Sequence, residues 1–322
     1  MDNKLYTTKR MEEMESNLLA AEELIDLLPQ IRDLYKLSFN QDMSEEYFKW
    51  RYLENPTNDL IVSVVLDKQK LIHARASIPT MMQLNGMKEK TISTTNVMVH
   101  PEYRDQGLLS NAQFFYEEVI KRGYKLVWGF PNNITHRIAI RAFGFSDVYE
   151  IPTMQLDLGS RERASIPECE TDHQFNLDYS DIYTNSKLNC VVKNEAYLSW
   201  RYYKNPSDNY YNFVVQQNKK VSSYMVVKRF RNRLNIIDLQ VSNPEEGSYL
   251  LDTAINYALS VSLDMVTAWL PRHAIVHSLA EKRGFRNSVP ITYFCILPLT
   301  GELDISTNYG DWFIQMGDFY SY

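Results

Sequence analysis

Apolar positions return at helical spacing through residues 18–37, where Leu19, Leu24, Leu27, Leu28, Ile31 and Leu34 fall three or four positions apart. Apolar stretches bounded by turn residues follow at 60–66, 70–82 and 93–99, and these predict strands. Residues 108–122 resume the helical period and stop at Gly123, a residue suited to a helix C-cap. Residues 126–130 predict a further strand, and 133–143 a helix with asparagine at its N-terminal boundary. The order strand, turn, helix, strand, helix, strand predicts an α/β unit.

The pattern occurs twice. Residues 47–56 (YFKWRYLENP) and 197–206 (YLSWRYYKNP) share Tyr, Trp-Arg-Tyr and Asn-Pro, with Trp50 and Trp200 150 positions apart. Further on, Pro131 and Pro271, and the Gly-Phe pairs at Gly144 and Gly284, repeat in the same order at an offset of 140. After each Gly-Phe comes an apolar stretch, 151–158 and 291–299, that predicts a closing strand. A repeat of this length points to two homologous domains in tandem. The boundary is expected in the polar, turn-rich stretch 159–172 (GSRERASIPECETD), giving domains at 1–158 and 173–322. The Trp-Arg-Tyr element recurs in both copies, which favours a packing role for Trp50, Trp200, Arg51 and Arg201 over a site.

Composition narrows the class. The 322 residues are 44% hydrophobic and 23% charged, as in ordinary folded chains, and the length suits two domains at about 150 residues each. No stretch approaches the roughly 18 apolar residues of a membrane span, and the start lacks the charged-then-apolar order of a secretion signal, so a cytoplasmic location is expected. A net charge of −6, with no basic run beyond pieces such as 228–233 (KRFRNR), lacks the footprint of a nucleic-acid binder. Cys169, Cys190 and Cys295 form no CxxC pair, so neither a disulfide framework nor a metal site is expected. The 22 tyrosines suit the wall of a polar cleft.

The stretch richest in chemistry is 97–110 (VMVHPEYRDQGLLS), where a strand passes through His-Pro into a turn with Arg104 and Gly107 and then a helix. Unpaired amides and the positive dipole end at a helix N-terminus bind anions, and Gly107 permits close approach of a ligand.

This context resembles the GNAT superfamily of acyl-CoA-dependent N-acetyltransferases, whose signature is a strand, an Arg/Gln-x-x-Gly-x-Gly/Ala turn cradling the CoA pyrophosphate, and a helix. Here the signature stands as Arg104, Asp105, Gln106, Gly107, Leu108 and Leu109, preceded by Val99-His100-Pro101 and followed by a strand and an Asn-started helix ending in Gly-Phe. Leu109 departs from the family's Gly or Ala. Ile140 stands where many members carry the tyrosine that protonates the leaving thiolate. The tandem arrangement resembles a two-domain subgroup, several members of which accompany surface-polysaccharide synthesis. The resemblance implies two tandem GNAT-like domains, each a mixed, mostly antiparallel sheet with flanking helices. The first would carry the acetyl-CoA site. The turn of the second copy, 241–251 (VSNPEEGSYLL), has no arginine and carries Glu245 and Glu246, which would repel a pyrophosphate; that domain is expected to complete the acceptor cleft.

By the resemblance, Val97, Met98 and Val99 would line the donor, with Met98 and Val99 at the acetyl end. Residues 104–110, Ser110 included, would take the pyrophosphate, and Asn133 the pantetheine arm. Direct attack by an unprotonated amine needs no covalent nucleophile and no metal. His136, one turn into the helix after the second strand, is the candidate for proton transfer, and a ring merely capping or lining the cleft is the alternative. The implied activity is acetyl transfer to a small primary amine, such as a nucleotide-linked amino sugar, by a monomer. The alternatives are a Fem-like aminoacyl-tRNA-dependent transferase and a non-catalytic acyl-CoA-binding or scaffold protein.

Overall fold

A computed structural model describes residues 14–104, 109–180, 182 and 187–322. The chain is of the α/β class and divides into two compact units made of interleaved segments. One comprises Met1–Thr80, Glu89–Gly129 and Leu297–Asp304; the other comprises Met81–Lys88, Phe130–Ile296 and Ile305–Tyr322.

In the first unit, β1 (Met14–Leu18), β2 (Ile61–Asp67), β3 (Lys70–Leu84), β4 (Met87–Val99) and β5 (Leu126–Gly129) are neighbours in that order. β4 and β5 run parallel, as the intervening helix α3 (Leu109–Lys121) allows. Helix α1 (Ala21–Phe39) buries Leu24, Leu28, Ile31 and Leu34, the stripe that its spacing predicts, and ends at Asn40 in the left-handed region. β3 and β4 are longer than their apolar runs. They meet at Asn85 and Gly86, whose φ values of 50° and 83° suit the two-residue turn that matches strand twist.

The second unit holds β6 (Ser146–Asp157), β7 (Glu170–Thr171), β9 (Tyr210–Gln217), β10 (Lys220–Phe230), β11 (Arg233–Gln240), β12 (Met265–Ala268) and most of β13 (Arg286–Pro298). Their order is β13-β6-β12-β11-β10-β9-β7, and β11 and β12 are parallel. Here β8 (Cys190–Val191) pairs with the tip of β3 at Met82 and Gln83. Helices α4 (Asn133–Ala142), α6 (Pro244–Ser260) and α7 (Ile275–Lys282) belong to this unit. Met154, Leu156, Leu234, Ile236, Leu250, Leu251, Ala254 and Val266 build its core.

The units are not the two sequence copies. β6, the closing strand of the first copy, pairs in the second unit with β12 and β13. Residues Leu297–Asp304 of the second copy lie in the first unit, where Leu299 N–H donates to the Lys125 carbonyl and Glu302 pairs with Lys125 at 2.8 Å.

The repeated motif is structural in both copies. Trp-Arg-Tyr lies at the end of helix α2 (Glu45–Tyr52), capped by Ser44, and in the wider turn Ser199–Tyr203 that follows α5 (Glu195–Leu198), capped by Asn194; each cap accepts from a backbone N–H three residues on. The following Asn55 and Asn205 are buried, and their side-chain oxygens accept from the N–H groups of Thr57 and Ser207, closing the same turn twice. Arg201 is buried and donates to the carbonyls of Gly317 and Tyr322 and to the Tyr210 hydroxyl at 3.0–3.2 Å. This placement matches a packing role.

Two buried polar groups carry testable consequences. In the second unit, Lys193 Nζ lies 2.8 Å from Asp238 and 2.9 Å from Asp318, all three being 2% exposed or less. Burial opposes its charge, but the two carboxylates outweigh burial and raise the Lys193 ammonium above its ordinary range. Lys193→Ala strands both carboxylates, and a loss of about 3–5 kcal/mol is expected in denaturant unfolding. In the first unit, burial, with Arg75 beside it, pushes the His73 imidazole down to about 3. Between the ordinary value and about 3 the unfolded chain holds the proton and the folded chain refuses it, so acidification favours unfolding. His73→Gln is expected to make the fall in stability below about pH 6 shallower, by up to ~1.4 kcal/mol per pH unit, read from urea midpoints.

Candidate functional site

The parallel pairs decide where a ligand can enter. In the first unit the register runs Thr91–Leu126, Ile92–Val127, Ser93–Trp128 and Thr94–Gly129, and then stops. A Cβ at Gly129 would lie 2.9 Å from Thr94 Cγ2 and 3.2 Å from the Thr94 carbonyl oxygen, so the last pair closes only because glycine stands there. β4 runs on through Val99. The Trp128 indole, bonded to Thr91 at 3.0 Å, anchors the paired half.

On that extension Val97 is 40% exposed, Met98 is buried, and Val99 packs on Val65, Ile72 and Tyr103. The Tyr103 hydroxyl donates to Asp67 at 2.7 Å, fixing the short 3-10 turn Pro101–Tyr103. Arg104 follows this turn with an exposed side chain. Asp105, Gln106, Gly107 and Leu108 lie outside the described residues; Leu109 and Ser110 open α3.

Asn133 and His136 fall in the second unit. Asn133 is exposed at the first position of α4. The cap is Asn132, whose side-chain oxygen accepts from Ile134 and Thr135 N–H at 3.0 Å. His136 stacks on Tyr293, with ring centroids 4.0 Å apart and planes 4° off parallel, and its Nε2 lies 2.7 Å from Asp147 Oδ1. Cys295 Sγ donates to the same oxygen at 3.0 Å. Burial first, and then the Asp147 carboxylate, push the Cys295 thiol up, so it is held protonated and is no ready nucleophile. Asp147, Tyr293 and Cys295 are beyond sequence reasoning because they meet His136 only through the fold.

The second copy repeats the parallel pair over Arg233–Met265 to Ile236–Ala268, after which β11 also runs on. Here the edge is filled from within. The Gln315 side chain accepts from Leu239 N–H at 3.2 Å and donates to the Leu239 carbonyl at 2.9 Å, standing in for a strand. The N-terminus of α6 is also engaged internally: Asn243 accepts from Glu246 N–H, and the Glu246 carboxylate accepts from the Ser222 and Ser223 hydroxyls. Beside the end of β11 is a cavity of about 440 Å³, lined by Gln240, Ser242, Ser222, His273, Cys190 and Phe313 among others. Burial lowers the His273 imidazole from its ordinary value. No lysine or arginine is among the described lining residues, so this cavity lacks the charge for a pyrophosphate.

Residues 25–147 match the sequence model of the acetyltransferase (GNAT) domain. Within those residues the chain carries a GNAT-type acetyltransferase domain. Solved structures with the same fold include a probable N-acyltransferase from Enterococcus faecalis V583, described as a conserved protein of unknown function. It is 13% identical, with 89% of this chain and 73% of that chain covered and a TM-score of 0.67. A GCN5-related N-acetyltransferase from Anabaena variabilis ATCC 29413 has the same identity and coverages and a TM-score of 0.68. Saccharomyces cerevisiae N-myristoyltransferase with bound myristoyl-CoA is 10% identical over 94% of this chain and 89% of its own, with a TM-score of 0.57. At such identities the likeness carries the fold. No curated protein matches the sequence.

The GNAT match lies within the first copy, where β4 runs on past its pairing with β5 toward Arg104; in the second copy Gln315 closes the corresponding edge. Gln315→Ala should leave the buried N–H and C=O of Leu239 without partners, at about 1–3 kcal/mol for each orphaned group in urea unfolding.

Proposed function

We propose that the chain transfers an acetyl group from acetyl-CoA to a small primary amine by direct attack of the amine on the thioester. The carrying observation is the first copy's parallel pair, which parts after Thr94 and Gly129 and leads through Pro101–Tyr103 and Arg104 into α3, within the GNAT match. In this reading Val97, Met98 and Val99 offer the edge of β4 to the donor, with Met98 and Val99 at the acetyl end. Residues 104–110 hold the pyrophosphate, with Arg104 supplying charge, and Asn133 bonds the pantetheine arm. His136 serves proton transfer: with Nε2 donating to Asp147, the lone pair is on Nδ1. An acceptor of the nucleotide-linked amino sugar class would place the enzyme in the cytoplasm, beside surface-polysaccharide synthesis. No described helix is long and apolar enough to cross a membrane.

The domains in this reading are the two copies, 1–158 and 173–322, the second contributing acceptor contacts rather than a CoA site. The structural likeness to a myristoyl-CoA-bound transferase supports a second reading of the same site, with a longer acyl group.

Calorimetric titration with acetyl-CoA tests the reading. One-to-one binding is expected, weakened at least about tenfold by Arg104→Glu, the equivalent of one charge-assisted hydrogen bond. His136→Gln is expected to leave that binding unchanged and to lower kcat on the accepted amine. Tighter binding of myristoyl-CoA would shift the donor to the longer acyl group. No binding of either thioester would overturn the donor assignment and favour the tRNA-dependent or scaffold alternative.

A further inference from the structure

We propose that His136 Nε2, Asp147 Oδ1 and Cys295 Sγ form a three-ligand site for a zinc-type divalent cation. The three donor atoms lie within 4.8 Å of one another and come from α4, β6 and β13 of the same compact unit.

The backbone builds the site. Asp147 and Cys295 face each other in the β6–β13 register, beside an irregularity between Phe294 and Cys295 that sets which residue stands opposite Asp147. His136 reaches them from one turn into α4, its ring plane held by the stack on Tyr293. Two ligands on paired strands and a third on a braced ring are positioned before any cation arrives.

The donor set selects the ion. One imidazole nitrogen, one thiolate sulfur and one carboxylate oxygen are the ligands of zinc and of its spectroscopic substitute cobalt, and they do not suit calcium or magnesium. In the metal-free form two hydrogens, from the thiol and the imidazole, converge on the single oxygen Asp147 Oδ1. A divalent cation displaces the thiol proton to solvent, binds Nε2 once the ring proton has moved to Nδ1, and balances the charges of one thiolate and one carboxylate. Tetrahedral bonds of about 2.0–2.3 Å set ligand atoms roughly 3.3–3.6 Å apart, so the present 2.7 and 3.0 Å contacts need to open by about 0.6 Å, and the third pair, within 4.8 Å, to close by at most about 1.3 Å. The Asp147 side chain is 53% exposed, which leaves a fourth position for water or a ligand atom, the arrangement of an open rather than a closed zinc site.

The expectation of no metal rested on spacing, and the spacing hides this site: Asp147 lies 11 residues from His136 and 148 from Cys295. With a cation on Nε2 the ring proton sits on Nδ1, whose lone pair serves proton transfer in the proposed function, so a loaded site takes His136 out of that role. Metal binding is nevertheless read without any turnover, so the two assignments fail separately.

The test is titration of the chelator-treated full chain with Co²⁺, following the thiolate-to-cobalt charge-transfer absorption and the visible bands of a tetrahedral ion, then displacement by Zn²⁺. One equivalent per chain is expected. The charge-transfer band should vanish in Cys295→Ser, which keeps Cys169 and Cys190. Asp147→Asn, at an exposed position that leaves the fold intact, should weaken binding by at least the roughly 10- to 100-fold that losing even an outer partner of a metal ligand costs. Cobalt bound without a thiolate band, a band that survives Cys295→Ser, affinity unchanged in Asp147→Asn, or no cobalt uptake would each overturn the proposal.

Discussion

Parallel strands that part leave a row of backbone N–H and C=O groups with no partner on one side, and such groups cannot stay buried and unsatisfied. The chain meets this constraint twice, once in each copy, and the two solutions account for the divergence of the copies. In the second, the amide of Gln315 acts as a one-residue strand against Leu239. Lys193, pinned between Asp238 and Asp318, ties that segment down three residues later. In the first, Gly129 closes the final pair with Thr94, and β4 continues toward the turn with Arg104.

Electrostatics follow the same division. The first copy places an exposed guanidinium just before a helix start, where dipole and charge both favour an anion. The second puts Glu245 and Glu246 in the first helical turn, with one N–H already taken by Asn243 and one carboxylate bound by serine hydroxyls. A helix end whose donors and charge are satisfied from within offers little to a phosphate. The neighbouring cavity sets hydroxyl, amide, imidazole and thiol groups among mostly apolar residues, with no lysine or arginine among its described lining.

Much of this was legible in the sequence wherever an element follows its own periodicity. The stripe of α1, the helix at Leu109–Lys121 and the strand before Gly129 sit within a few residues of their predicted limits. The first half of β4 escaped because Lys88, Glu89 and Lys90, exposed or half-buried, break the apolar run. The Trp-Arg-Tyr helix escaped because two caps and two Asn-Pro turns, rather than an apolar stripe, define it. His136 was recognisable as a titratable ring near a helix start. Its partners were not, since Asp147 and Cys295 are brought to it by a strand pairing between copies, which no local pattern encodes.

That same exchange governs how the chain is made. β6 pairs with β12 and β13, and Lys125 accepts from Leu299 N–H and donates to the Glu302 carboxylate. Synthesis runs from the N-terminus, so the first copy leaves the ribosome with its closing strand unmatched and waits for nearly the whole of the second. The halves therefore mature as one folding event with a high sequence separation between partners, a slow and exposed route that makes their fates inseparable. Neither copy carries within itself every partner that its own strands need.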